Sequence, residues 1–400
     1  MSALERFLSY ITVDTNSNED CEACPSSPNQ LVLGQRLRDE MDEIGISDAR
    51  QDENGYVYGF IPASEGCEDW PAIGFIAHMD TSSAVPGGPV HARIVRFDGN
   101  PIPLGNGLTL DNVPADLAGK RLVVTDGSTL LGADNKAGVA EILTMAEALL
   151  AKDAPKHGRV AIAFTPDEEI GRGADRFDVK GFGAQYAYTV DGGRLGEMEY
   201  ENFNAASAAV TVKGISIHPG SAKNAMVNAC TVAREFDALL PAWEVPEHTE
   251  GYDGFHMLAG MKGHVEEAEL HYIIRDHDRA KFEARKKQFT DAAAYLNTVY
   301  GEGTVTAVLK DSYYNMKDTL KDCMYVVDKA CDAFRACGVE PVSTPIRGGT
   351  DGARLCYMGL PCPNLSTGGY NFHGKKEFLC VEEMDKMVEV LLAIVRGVND

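Results

Sequence analysis

Seven side chains that could hold a divalent ion or move a proton follow apolar runs in this chain: His78, Asp80, Asp134, Glu168, Glu169, Asp191 and His373. The densest stretch is Arg159–Gly171, R-V-A-I-A-F-T-P-D-E-E-I-G. Its β-type run Val160–Phe164 reads as a strand buried in a parallel sheet, and the proline ends it. Asp167, Glu168 and Glu169 then sit at a C-terminal strand tip, where open α/β sheets place their ligand sites. Three adjacent acids repel one another, so a solvated turn is the ordinary fate of such a triplet. The remaining positions weigh against that fate. His78 and Asp80 end the run Ala72–Ala77 with one residue between them, a spacing that shares a face. A metal-binding histidine commonly donates its other ring N–H to a carboxylate. Asp134 follows Leu130–Ala133 and precedes a helix beginning near Ala137, where the helix dipole also favours an acid. Asp191 closes the run Gln185–Val190 ahead of two glycines, and His373 follows the strand Cys362–Ser366 and a Gly-Gly pair.

Each of these has a structural explanation when taken alone. Five independent strand ends that each present a hard or borderline ligand do not follow from chance solvation. Two histidines with three or four carboxylates suit a pair of zinc-like ions, one carboxylate bridging. Ions about 3.5–4 Å apart can hold a hydroxide between them and polarise a carbonyl. One carboxylate must stay off the metals to pass the water's proton to a leaving amine. Glu168 and Glu169 could divide these roles, and spacing does not tell which takes which.

Other candidates are weaker. Arg347-Gly348-Gly349-Thr350-Asp351-Gly352 resembles an anion-cradling loop without the P-loop lysine, and Arg347 could clamp a carboxylate. His218, in Gly214–Gly220 between a strand and a helix, could hydrogen-bond an oxyanion. Asn224 and Arg275 could hold the far end of a substrate. G-x-x-x-x-G-K-[ST], H-E-x-x-H, G-x-S-x-G and a strand-linked G-x-G-x-x-G are absent from the sequence.

The elements that must position these residues are legible in outline. Helices are expected at Leu4–Ile11, Gln30–Ile44 and Ala137–Leu150, with strands at Gly55–Ile61 and Ala72–Ala77 and a long irregular insertion with short strands over 85–118. The pattern changes near 205: strand Ala205–Val212, helix Ala222–Leu240, strand Ala268–Arg275, helix Asp278–Val299 and a strand in Gly301–Leu309. That order suggests a separate two-layer α+β module. A helix over Met316–Cys337, the strand Cys362–Ser366 and a last helix Glu382–Arg396 then return to the first pattern. The expected division is therefore 1–204 with 311–400 around an inserted 205–310.

Four hundred residues suggest two or three domains. The chain is 44% hydrophobic and 24% charged, and it carries no apolar run long enough to span a membrane. The formal charge of −23 disfavours nucleic acid and anionic membranes as partners. Ten scattered cysteines and the lack of a signal segment point to a cytoplasmic protein with free thiols. Cys21-Glu22-Ala23-Cys24 has no second ligand pair at zinc-finger distance and reads as a loop.

These motifs together resemble the peptidase T family of tripeptide aminopeptidases, in the dinuclear zinc exopeptidase clan that includes aminoacylases and carboxypeptidase G2. The resemblance runs through Ala77–Asp80, Leu131–Gly138, Thr165–Gly171, Tyr188–Gly193, Gly214–Gly220, Glu250–His256, Arg347–Gly352, Leu365–Gly369 and Asn371–Gly374. It implies a mixed-sheet α/β/α catalytic domain with an inserted α+β lid or dimerisation domain. It also implies two Zn2+ per chain, replaceable by Co2+ or Mn2+. His78 and Asp191, with Glu169 and His373, would each ligate a single ion, and Asp134 would bridge both. Glu168 would be the general acid/base, and Asp80, counted with the catalytic residues, would orient His78. A cis peptide at Asp134–Asn135 and a His218 that reaches the reacting carbonyl are further implications. The expected partners are short peptides, chiefly tripeptides, and a second copy of the chain. A deacylase, dipeptidase or carboxypeptidase of the same clan is the alternative, and a silent metal-binding relative a more distant one.

Overall fold

Four parallel strands make the centre of a seven-stranded sheet and point their C-terminal ends the same way. In order across the sheet the strands are Ser47–Gln51, Val57–Ile61, Val160–Thr165, Ile73–His78, Tyr186–Gly192, Asn364–Ser366 and Met198–Glu199. The first two and the last run antiparallel to their inner neighbours. The structure, a computed structural model, describes residues 1–396. Ile73–His78 and Val160–Thr165 are buried at every position, as expected of parallel strands covered on both faces. The register pairs His78 with Thr165 and Ile76 with Thr189. Continued by two residues, the second pairing brings His78 level with Asp191.

The helices Ala3–Tyr10, Ala133–Leu149 and Val381–Arg396 share one core with this sheet through Phe7, Val139, Ile142, Leu143, Met387 and Leu391. Gly138 allows the closest of these approaches: a Cβ there would lie 2.0 Å from the carbonyl oxygen of Val190. The start of this helix is thereby seated against the strand that ends in Asp191.

The short strands expected within the irregular stretch 85–118 are Arg93–Arg96, Ile102–Gly105 and Leu108–Leu110. Arg93–Arg96 pairs with Arg121–Val124, which pairs with Phe378–Cys380 and so with Gly369–Tyr370, forming a second sheet. A hairpin of Ile102–Gly105 and Leu108–Leu110 closes a small core of Phe97, Leu104, Leu110, Leu122 and Phe378 against it. His373 lies in the loop between the two C-terminal strands of this side sheet. No strand forms at Leu130–Ala133. Asp134 thus opens a helix instead of closing a strand, and the strict strand-end pattern holds for His78, the Glu168-Glu169 pair and Asp191.

The chain divides into two compact units. One comprises Met1–Tyr200, Met316–Thr344 and the described residues from Thr350; the other comprises Glu201–Asn315 and Pro345–Gly349. The second unit is an antiparallel sheet in the order Phe255–Gly263, Glu267–Asp276, Asn204–Lys213, Val305–Tyr313. Ala206, Ala208, Val210 and Val212 alternate inward and pack with Leu270, Ile274, Phe236 and Phe289 under the helices Ala229–Ala238 and Arg279–Tyr300. Phe255–Gly263 went unread because an edge strand with two glycines carries no burial alternation. The helix expected from Ala222 begins at Ala229, where the Asn228 side chain accepts from the Cys230 N–H; Asn224, at φ 59°, is left-handed. Met316–Cys337 is two helices, Lys317–Leu320 and Tyr325–Ala336, and the glycine-rich loop leads into a helix over Asp351–Tyr357.

Glu141 is a misfit in the main core. It is fully buried in the helix Ala133–Leu149, and neither carboxylate oxygen has a hydrogen-bond partner. Burial, with Asp385 adding to it, pushes its pKa well above the usual range. The folded chain therefore favours the protonated acid. This preference costs nothing below the unfolded-state pKa near 4.5, and the stability is lost progressively as the pH rises through the folded value. Glu141→Met should stabilise the protein by about 1–3 kcal/mol near neutrality. The gain in Tm should shrink as the pH is lowered towards 4.5, which thermal melts across a pH series would measure.

Candidate metal centre

The carboxylate of Asp80 is the joint of the site. Buried completely, it accepts the backbone N–H of Glu168 at 3.0 Å on Oδ1 and that of Glu169 at 3.1 Å on Oδ2. Its Oδ1 also lies 3.3 Å from Nδ1 of His78, whose ring nitrogen sits 3.1 Å from the Asp80 carbonyl oxygen. One side chain thus sets the orientation of the histidine and the path of the acidic pair. With Nδ1 so occupied, Nε2 of His78 faces Asp134 Oδ1 at 2.8 Å and Asp191 Oδ1 at 3.2 Å. Across the centre, Nε2 of His373 faces Glu169 Oε2 at 2.9 Å and Asp134 Oδ2 at 3.1 Å. Asp134 therefore divides its two oxygens between the two imidazoles.

Asp167 anchors the acidic pair from the other side. Its backbone is left-handed at φ 59°, and its buried carboxylate accepts from Ser26 N (2.7 Å), Ser26 Oγ (2.5 Å) and Gln30 Nε2 (2.7 Å). Gln30 Oε1 in return accepts the Asp167 N–H at 3.1 Å. The sequence identified the triplet but not this cage, because its partners lie in the loop and helix around 26–30. Glu377 is another residue that motif reasoning missed. Its carboxylate takes the backbone N–H groups of Leu131 (2.6 Å), Gly132 (2.8 Å) and Asp134 (3.0 Å). The Asp134–Asn135 peptide is cis.

Charges in the centre are strongly perturbed. Burial opposes the His78 imidazolium, but Asp191, Asp134 and Asp80 outweigh it and hold its pKa well above the ordinary value. Hydrogen bonds to Asp134 and Glu169 raise His373 to about 11, against burial. Burial and Asp134 push Glu169 up to about 7, and burial lifts Asp191 to about 6 in spite of His78. Burial would raise Asp134 too, yet the two histidines bring it below the carboxylate range. Glu168 is raised well above its usual value by burial and by Asp191, Asp351 and Glu169, with His78 opposing. Burial also raises Glu377 to about 7, against its three backbone donors.

The donor set fits divalent ions. His78, Glu168 and Asp191, and likewise His78, Asp134 and Glu169, offer ligand atoms within 4.8 Å of one another. The buried Glu169 Oε1 has no hydrogen-bond partner, and Asp191 Oδ1 meets only the His78 imidazole, at 3.2 Å. Unpartnered buried carboxylate oxygens beside imidazole nitrogens call for a cation. His373 is the exposed member, its side chain 52% accessible.

The four other candidates belong to the second unit. Nδ1 of the exposed His218 accepts the Gly220 N–H at 3.1 Å, and Asn224 is exposed. Arg275 donates to the carbonyls of Ala206 and Ile274 and lies over Tyr313. Arg347 donates to the carbonyls of Gly251 and Asp253 and to Thr249 Oγ1, above the rings of Phe203 and Phe255.

Fold and donor set define an α/β protein with a candidate centre for divalent ions. Residues 200–304 match the family described as the M20 peptidase dimerisation domain. The structure resembles that of aminopeptidase PepT from Bacillus cereus, with a TM-score of 0.79 and 23% identity over 100% of this chain and 98% of that one. It also resembles the YXEP protein of Bacillus subtilis, described as a dinuclear metal binding peptidase of the M20 family, with a TM-score of 0.64 and 16% identity over 99% and 97% of the two chains. Peptidase T of Clostridium perfringens strain 13 is 53% identical over 397 residues, 98% of each chain. This chain belongs to the peptidase T family.

Replacing Gln30 tests the cage. Gln30→Ala removes a donor to the buried Asp167 carboxylate and an acceptor from its N–H, at a cost of about 1–3 kcal/mol. Thermal denaturation should show that loss, and kcat should fall with it although Gln30 makes no contact with the histidines of the centre.

Proposed function

We propose that this centre, loaded with two zinc ions, releases the N-terminal residue of tripeptides. Membership of the peptidase T family makes the chain a metal-dependent tripeptide aminopeptidase; the proposal concerns how its residues divide the chemistry. In this reading His78 and Asp191 would hold one ion, Glu169 and His373 would hold the other, and Asp134 would serve both. Co2+ or Mn2+ would serve in place of zinc, since imidazole and carboxylate donors accept all three. When bound, such ions supply a Lewis acid for the scissile carbonyl and lower the pKa of the attacking water.

The remaining chemistry falls to the protein. Glu168 stays off the ions, accepts the proton of the attacking water on its carboxylate and delivers it to the nitrogen of the leaving peptide. Asp80 acts through others: by gripping the Glu168 and Glu169 amides and facing His78 Nδ1 it keeps the proton carrier and two ligands in register. His218, Asn224, Arg275 and Arg347 are the candidates for holding the substrate. The dimerisation domain supports a homodimer, and a cytoplasmic site of action fits free thiols at all ten cysteines. Among the described residues no helix is long and apolar enough to cross a membrane.

The observation that carries this reading is the division of the Asp134 oxygens between His78 and His373, the arrangement a bridging carboxylate requires. Glu168→Gln should lower kcat by about 10²–10⁴-fold, the range of general acid–base catalysis. The variant should still bind two metal ions, counted by elemental analysis; full turnover in it would remove Glu168 from the mechanism. Exhaustive chelation should abolish hydrolysis, and zinc should restore it. A panel of tripeptides, dipeptides, N-acylated amino acids and N-blocked peptides decides the substrate. Cleavage confined to N-acylated compounds would make the protein a deacylase.

A further inference from the structure

His373 and Glu377 share one loop. It is the seven-residue connection between the strands Gly369–Tyr370 and Phe378–Cys380, which pair antiparallel through Tyr370–Phe378 and Gly369–Leu379. The two rings at the neck of this hairpin, Tyr370 and Phe378, stack face to face with centroids 4.7 Å apart and planes 2° from parallel. Phe378 is fully buried in the small core of the side sheet, which fixes the base of the loop. Asn371 closes the loop internally by donating to the Lys376 carbonyl at 3.0 Å. From this rigid base two side chains of the loop reach the start of the helix Ala133–Leu149: His373 faces the Asp134 carboxylate, and Glu377 takes the backbone.

That contact is unusually complete. Oε2 of Glu377 takes the N–H groups of Leu131 and Gly132, and Oε1 takes that of Asp134. Both oxygens are used and the residue is 1% exposed. Gly132 is left-handed at φ 83°, a conformation that brings successive amides round towards one acceptor. The donors belong to the backbone that carries Asp134, and the acceptor lies four residues beyond His373. One carboxylate therefore locks the segment of the residue that faces both imidazoles to the segment of one of those imidazoles.

We propose that Glu377 is a positioning residue for the metal centre, setting the distance between Asp134 and His373 by clamping the two loops that carry them. The proposal rests on the reading of Asp134 and His373 as ligands. A clamp of this kind should act on ion affinity and on the geometry of the ligand set more than on substrate binding, because Glu377 is buried beneath the loop. Outer-shell partners of this type typically change metal affinity or activity by about 10–100-fold.

The test uses the full-length protein and three variants. Glu377→Gln keeps the shape but turns an amide NH2 towards a backbone N–H, Glu377→Asp keeps the charge but shortens the reach, and Asp134→Asn removes the bridging charge. Each is stripped of metal, melted to establish that it folds, and titrated with zinc against a chromogenic chelator; absorption of the Co2+-loaded forms reports ligand geometry. For Glu377→Gln, zinc affinity is expected to fall about 10–100-fold with an altered cobalt spectrum, and kcat to fall with KM unchanged. Glu377→Asp should lie between it and the parent. If the Gln variant binds zinc as the parent does, with the same cobalt spectrum, and only its metal-free Tm is lower, Glu377 is a structural residue and the proposal is wrong. If Asp134→Asn retains both ions at parental affinity, the assignment of the ligands fails instead, whatever Glu377 does.

Discussion

Carboxylates held within 4.8 Å of common neighbours, as Asp134, Glu168, Glu169 and Asp191 are, repel one another strongly. At 4 Å two unit charges interact by about 4 kcal/mol for an effective dielectric near 20. Left to themselves these loops would swing their acids apart into water. The fold opposes this with a second group of acids that takes no part in the ligand set. Asp80, Asp167 and Glu377 are all buried, and each accepts backbone N–H groups of the segments that carry the first group or lie beside them. The repulsion is borne by the main chain. The side chains of the centre are therefore held aimed inward.

The supports come from different layers of the fold. The parallel sheet brings His78, the acidic pair and Asp191 to one edge through register alone. Asp134 and His373 cannot arrive that way. The first opens a helix seated on the sheet where Gly138 meets Val190, and the second hangs from a hairpin of the side sheet. The centre is thus a junction of three substructures, and Glu377 sits where the side sheet meets the helix.

This explains what was legible in the sequence. Apolar runs followed by ligand-type residues marked the sheet-borne half of the site, because strand burial and strand-end chemistry are both local. The α/β class and the α+β character of the second unit were readable for the same reason. Glu377 and the Ser26–Gln30–Asp167 cage were not. Their function is to accept or donate main-chain hydrogen bonds far away in sequence, and no residue type or spacing announces that. The pairing of the side sheet was hidden because its strands are only two to four residues long and their partners come from the opposite end of the chain. Ala222–Leu240 looked like one helix because composition alone does not reveal that Asn224 is left-handed and that Asn228 starts the helix.

The side sheet also sets a timetable. Its strands Arg93–Arg96 and Arg121–Val124 are made early, whereas Gly369–Tyr370 and Phe378–Cys380, with the His373 loop between them, are made almost last. The inner strand Asn364–Ser366 of the main sheet is equally late. Synthesis proceeds from the N-terminus and lets early segments fold first, so His78 and Asp191 can meet before either His373 or the Glu377 carboxylate that grips the Asp134 backbone has been made. The candidate ligands come together only when the C-terminal segment docks. A chain that lacks this segment has neither His373 nor the Glu377 carboxylate that grips the backbone of Asp134.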